Sequence, residues 1–414
     1  MSKTFIRGFV AAGALAIGGL VASAAWSQGA QPPAPKLSPS LAKTYLAAQE
    51  AQKARRWGEV VSKAQEVLAA SGRKPDDTYY AYYLIFEAGR ATNNKADVRK
   101  GLEGVVDSGF LAPPQQVTYL KALLTMAFEG KEYDAAIDYG NRMIKTGTAD
   151  ADVQQLVGQS YYQKGAFAES ARVFNDMVDD QIKRGQSPRE QHLVLLQASY
   201  NKLNKKEGET DTLEKLVVYH PNPKYWDQLL YSVRSNPSLE PRQKLWVYRL
   251  MMATGTLKQG PDFNRFAEYS QGAGLPAEAQ KVYEAGLKAN VFTADDKSRI
   301  ERQMKALGTV AAEDRAELPK LEAQAKAAPN GDLDVTVGMA LHSYGEPDKA
   351  IEALQRGLGK GGLKDQLAVD GAMGLGMAQL RNKDAAGARK TFQNIKSADP
   401  NIQRIAKLWA LYAK

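Results

Sequence analysis

The chain has 414 residues, 44% of them apolar, a formal charge of +9 and no cysteine. An ordinary apolar share supports a continuous core without a cofactor. The missing thiols exclude disulfide frameworks, thiolate zinc sites, cysteine nucleophiles and a lipidated cysteine anchor. Basic residues are spread out, with no cluster interleaved with aromatics, so a solvated surface is expected and nucleic-acid binding is not.

Residues 1–24 read as a signal peptide. Lys3 and Arg7 form a positive start, Phe9 to Val21 is apolar, and Ala22-Ser23-Ala24 is a small-x-small cleavage pattern. The expectation is export and a periplasmic mature protein. An uncleaved segment would instead anchor the chain in the inner membrane, but the run is short and rich in Gly and Ala for a span. Nothing after it is apolar enough to cross a bilayer. Residues 25–40, which include QPPAPKLSP, form an extended proline-rich linker.

From residue 41 to 414 one pattern recurs: an amphipathic helix, a tight turn and a second helix. Leu41–Gly72 has Ala48, Trp57, Ala64 and Val67 at matching places. Tyr80–Gly109 is looser and opens on a tyrosine cluster, Tyr79, Tyr80, Tyr82 and Tyr83, divided between packing and a contact surface. The best units are 116–149, 151–184, 331–364 and 369–402. In 151–184, Val153, Val157, Gly158 and Tyr161 precede the turn at Gly165, and Phe167, Ala171, Phe174 and Met177 follow it. Gly158 and Ala171 are expected where the two helices touch. Pro221 closes the unit before Tyr225-Trp226, and Pro276 fits the first turn of its helix. The stretch 298–329 is charged and Ala-rich, and by length it is read as another helix pair. A last helix, IQRIAKLWALYAK, would cap the end and is a candidate dimer contact. The repeat spacing of about 33–39 residues is that of a helix-pair solenoid, with no two-residue alternation for a sheet.

The Gly158…Tyr161, Gly165, Phe167 and Phe174 pattern resembles tetratricopeptide repeats over nearly all of 41–414. The resemblance implies an all-α, right-handed superhelical solenoid of about ten helix-turn-helix units with a C-terminal capping helix. Glu209 departs from it, standing where a small residue is expected. Three further stretches, LEKLVVYHPNPKYWDQLL, FNRFAEYSQGAGLPAEAQKVYEAGL and AKLWALY, resemble exported repeat proteins that accompany TonB-type energy-transduction systems.

Catalytic motifs are lacking. His192, His220 and His342 are isolated and read as surface or groove residues, with no HExxH or second ligand at helical spacing. GxSxG, P-loop and EF-hand patterns are absent. Gly357, Gly359 and Gly362 match a dinucleotide fingerprint by letters, but they follow a helix rather than a strand, which makes them a helix end and loop. No catalytic activity, cofactor or metal is expected.

Binding follows from the architecture instead, because the first helices of stacked pairs line a concave groove. By register that groove takes Gln155, Gln159, Tyr162 and Gln163, then Asn201, Asp227, Tyr231 and Arg234, then Asn264, Glu268, Gln271 and His342, with Met339, Met373 and Met377 toward the end. Amides and tyrosines suit an extended peptide or a glycan, and methionines an apolar helix. The Lys, Asn and Arg set with which tetratricopeptide domains grip a terminal carboxylate is absent. The reading is a periplasmic scaffold that binds an envelope protein or peptide, with TonB-type components as the most specific partner. The alternative is a glycan-binding module in polysaccharide secretion or cell-wall metabolism.

Overall fold

The computed structural model describes residues 36–414. The expected signal peptide and most of the linker lie outside the described residues. Among the described residues every regular element is helical, and the chain divides into two compact units between Gly165 and Ala166.

The first unit opens with a 3-10 turn at Pro39–Leu41 and continues through α1 (Ala42–Lys53), α2 (Trp57–Ala69), α3 (Pro75–Thr92), α4 (Lys95–Asp107), α5 (Pro113–Glu129), α6 (Tyr133–Lys145) and α7 (Ala151–Lys164). Local chemistry sets these boundaries. Pro75 and Pro113 start their helices where a missing N–H costs nothing. Asn93 ends α3 in the left-handed region, and the side chain of Asn94 caps α4. Two glycines set how closely the helices approach. A Cβ on Gly101 would lie 2.4 Å from the Phe86 backbone nitrogen, so α3 and α4 cross in backbone contact, and a Cβ on Gly140 would lie 2.1 Å from Val157 of α7.

Tyr79, Tyr80, Tyr82 and Tyr83 are all half-buried. Tyr80 meets the edge of Tyr45 at 5.3 Å and Tyr79 packs on Phe110 at 5.5 Å. The cluster is therefore mainly packing. Beneath it Asp77, fully buried, accepts bonds from Ser38 N and Oγ, Lys74 N and Tyr45 Oη. Burial would raise its carboxyl, but these donors overrule it and hold the group below the usual range. The end of the linker is thereby tied to α3.

The second unit holds α8 (Phe167–Lys183), α9 (Glu190–Lys202), α10 (Lys206–Tyr219), α11 (Pro223–Arg234), α12 (Pro241–Ala253), α13 (Gly260–Gly272), α14 (Pro276–Lys288), α15 (Ala294–Ala327), α16 (Asp332–Tyr344), α17 (Pro347–Lys360), α18 (Asp365–Arg381), α19 (Ala385–Gln393) and α20 (Pro400–Tyr412). Ala171 is buried here, in a core shared with Phe174, Leu193 and Leu196. The small residue of the α9–α10 pair is Gly208, against the Tyr200 ring, one place before Glu209. Glu209 instead accepts from Gln197 at 3.0 Å and Asn201 at 2.8 Å, so a polar clasp joins that pair. Gly361 has φ +67 and ends α17, which places the glycine run at a helix end and loop.

The stretch 298–329 is not a helix pair. All of it but the last two residues belongs to α15, one continuous helix of 34 residues that accommodates Pro319 internally. Its buried residues Ile300, Leu307, Ala311, Leu318 and Ala325 fall in a single helical register, which a hairpin would have broken.

α20 does more than cap α19. Its indole Trp409 stacks on Phe392 at 5.5 Å and donates Nε1–H to Trp246 O at 3.2 Å. Tyr412 donates to Ala253 O at 3.0 Å and stands edge-on to Trp226. Lys407 pairs with Glu214 at 2.6 Å. The end of the chain thus returns to α10, α11 and α12, and Ile405, Leu408 and Trp409, read from sequence as a dimer contact, are internal core.

Candidate functional site

In the first unit Gln155, Gln159 and Gln163 form one stripe along α7, spaced four residues apart, with Tyr162 beside it. Of the four only Gln163 is exposed, and burial pushes the Tyr162 phenol up.

In the second unit α11 presents Asp227, Tyr231 and Arg234 on one face. Tyr231 is 63% exposed. Arg234 lies 5.8 Å from its ring and binds Asp262 of α13 through Nη1 at 2.6 Å. That ion pair links α11 to α13. Beside it is a hollow of about 380 Å³ whose wall includes Arg234, Lys244, Tyr248, Asp262, Arg265 and Tyr269. Farther along α13, Asn264 is half-buried, while Glu268 and Gln271 are exposed. Asn201 is spent on the Glu209 clasp.

His342 departs from the expected groove. It is 8% exposed and sits in the interior, where burial and the nearby Arg249 push its imidazole down to about 4. Met373 and Met377 are also buried, whereas Met339 is half-buried. His220 is within 2.6 Å of Pro188 O. His192 is fully buried against Phe174, and burial reinforced by Arg189 pushes it down to about 4. The groove histidines of the sequence reading are therefore core histidines at 192 and 342.

These two imidazoles predict an acid-sensitive fold. An unfolded chain takes up each proton near about 6.5. Because the folded values lie lower, the unfolded state binds more protons between them, and stability falls as pH drops from about 6.5 to about 4. Each histidine contributes on the order of 3 kcal/mol to that loss. Urea midpoints measured across the window should decline, and less steeply in a His342→Leu variant. Identical pH slopes in the two proteins would assign the acid sensitivity to other groups.

No family model matches the chain, and no curated protein does. Among solved structures it is similar to the TPR2AB domain of yeast Sti1 in a pHSP90 complex, at 16% identity over 73% of this chain and 100% of that one, TM-score 0.24. It is also similar to the P58(IPK) TPR domain, at 13% identity over 89% and 96%, TM-score 0.25. A third is the APC/C hetero-tetramer Cut9–Hcn1, at 14% identity over 89% and 80%, TM-score 0.20. Two of these three are TPR domains. The all-α helix-pair assignment stands on the helices themselves.

Two features of the second unit escaped the sequence. One is an open cleft of about 910 Å³ between α10, α19 and α20, with Val218, Phe392 and Leu411 among charged residues such as Asp211, Glu214, Arg404 and Lys407. The other is a buried ionic cluster. Glu278 receives Arg249 Nε and Nη2, each at 2.7 Å, and Ser270 Oγ at 3.0 Å. The Arg249 guanidinium lies 4.4 Å above Trp246. Burial would raise Glu278, but Arg249 and the bond from Ser270 hold it below the usual range. Among the described residues no group of three or more His, Cys, Asp and Glu could hold a metal, and no helix is long and apolar enough to cross a membrane.

Proposed function

We propose that this chain is a non-catalytic binding scaffold of the cell envelope. It takes a peptide segment of a protein partner on the first-helix face around Tyr231 and Arg234. The observation that carries this reading is Tyr231, a largely exposed aromatic next to an arginine that Asp262 holds in place. Tyr and Arg are enriched among the few residues that dominate binding energy at protein interfaces, and fixing them beforehand lowers the entropy cost of binding. Arg234, Lys244 and Arg265 outnumber Asp262 around the adjoining hollow, which favours an acidic segment. Export rests on the leader pattern of residues 1–24. A component of a TonB-type transport system is the most specific partner, on the resemblance of 213–230, 263–287 and 406–412.

A photocrosslinker placed at Tyr231 in cells, followed by identification of the adduct, tests the reading. An envelope protein, TonB-type or other, supports it. Polysaccharide or its synthesis machinery would replace it with the glycan-binding alternative, and adducts confined to cytoplasmic proteins would remove the envelope role. For the captured partner, Tyr231→Ala combined with Arg234→Ala should weaken affinity at least about tenfold. Gln271→Ala should change it by less than about threefold. The double variant should keep wild-type helicity by circular dichroism. Unchanged affinity would move the contact off this face.

A further inference from the structure

The second unit also holds a partly open chamber, independent of the Tyr231 face. It has a volume of about 180 Å³ and is bounded by α12, the turn before α14, α15, α16 and α18. Most of its wall is aliphatic, with Leu318, Leu321, Val335 and Leu367. The polar exceptions are Arg242, Arg249, Asp314, Thr336 and Asp370. Arg249 lies on the wall with its side chain 3% exposed, and its Nη1 has no hydrogen-bond partner. Glu278 occupies the other two nitrogens. Arg242 is on the same wall, paired with Asp370.

A buried guanidinium N–H without an acceptor costs about 1–3 kcal/mol or more, and an oxygen held in the chamber that Arg249 lines would relieve that cost. The volume is well below the roughly 300–1,000 Å³ of pockets for drug-sized ligands. A chamber of about 150 Å³ holds a six-carbon ring. An occupant of this chamber therefore has about six carbons and one acceptor end.

We propose that this chamber is a binding site for a short aliphatic carboxylate. The alkyl body fills the space between α15, α16 and α18, and the carboxylate accepts from Arg249 Nη1, while Arg242 stays paired with Asp370. Binding energy comes from burying the methylenes, roughly 0.8 kcal/mol each, and the hydrogen bond from Arg249 Nη1 is stronger to a carboxylate than to a hydroxyl because both partners are then charged.

Calorimetric titration of the purified full chain with hexanoate, hexan-1-ol and acetate tests this. Hexanoate should bind one-to-one with Kd of about 1 mM or tighter, and the other two at least about tenfold more weakly. Arg249→Lys, which keeps a cation beside Glu278, should lose hexanoate binding at least about tenfold. Leu367→Trp fills the chamber without touching the ion pair and should abolish binding, so the test survives if the arginine variant fails to fold. No saturable hexanoate binding would mean that water alone satisfies Nη1 and would overturn the site. Equal affinity for hexanoate and hexan-1-ol, or hexanoate binding unaffected by Leu367→Trp, would overturn it as well.

Discussion

Removing residues 400–414 is expected to unfold the second unit as a whole, not to shorten the repeat array by its last helix. In an open array a terminal helix touches only its neighbour, and its loss is local. Here α20 packs on α19 and also returns to helices about 160 residues earlier, through Trp409 to Trp246 and Tyr412 to Ala253. Ile405, Leu408 and Trp409 are at most 3% exposed within one core that runs from Ala171 to Ala413. Trp409→Ala alone should cost about 3–5 kcal/mol, from lost burial and the cavity left behind. Urea denaturation followed by circular dichroism measures both changes. If the truncated chain kept the wild-type midpoint, α20 would be a detachable cap.

The second large effect is expected at the Arg249–Glu278 pair. Glu278→Leu leaves a guanidinium buried without its carboxylate, and Arg249→Met leaves the reverse. Each should destabilise the protein by about 3–5 kcal/mol. The double variant should recover most of that loss, because two apolar side chains of similar volume carry no desolvation penalty. A double-mutant cycle on denaturation midpoints is the measurement, and additive losses would show that the two groups act independently. The same pair adds to the acid sensitivity. The folded carboxyl of Glu278 is held below its usual range, so its contribution is present above the unfolded pKa and is lost as pH falls through the folded one. It therefore acts in the same direction as His192 and His342, at lower pH.

The two predictions share a cause in the chain's topology. Trp246 receives the Trp409 hydrogen bond through its carbonyl and lies under the Arg249 guanidinium through its ring. α12 thus connects the returning C-terminus to the ionic cluster. Its buried face carries Leu245, Trp246, Val247, Tyr248, Arg249, Leu250 and Met251 in unbroken succession, so the helix is enclosed nearly all round.

Much of the helical layout was legible in the sequence. Pro223, Pro276, Pro347 and Pro400 start their helices, and Gly165 and Gly345 end theirs, because φ restriction at proline and the left-handed region at glycine act within one or two residues. The exposed face of α11 was legible too, since Asp227, Tyr231 and Arg234 follow from helical spacing alone. At 298–329 the assumption of constant repeat length overrode the register of Ile300, Leu307, Ala311 and Leu318, which already described one helix. The pairing of Arg249 with Glu278, the burial of His342 and the return of α20 to α12 were not legible. Each depends on which distant helix faces which, and a residue's own neighbours in sequence carry no record of that. Local backbone chemistry was enough to determine helices and turns. Only the packing of one helix against another far along the chain decided which polar groups left water, and with them where the ion pair, the neutral histidines and the chamber lie.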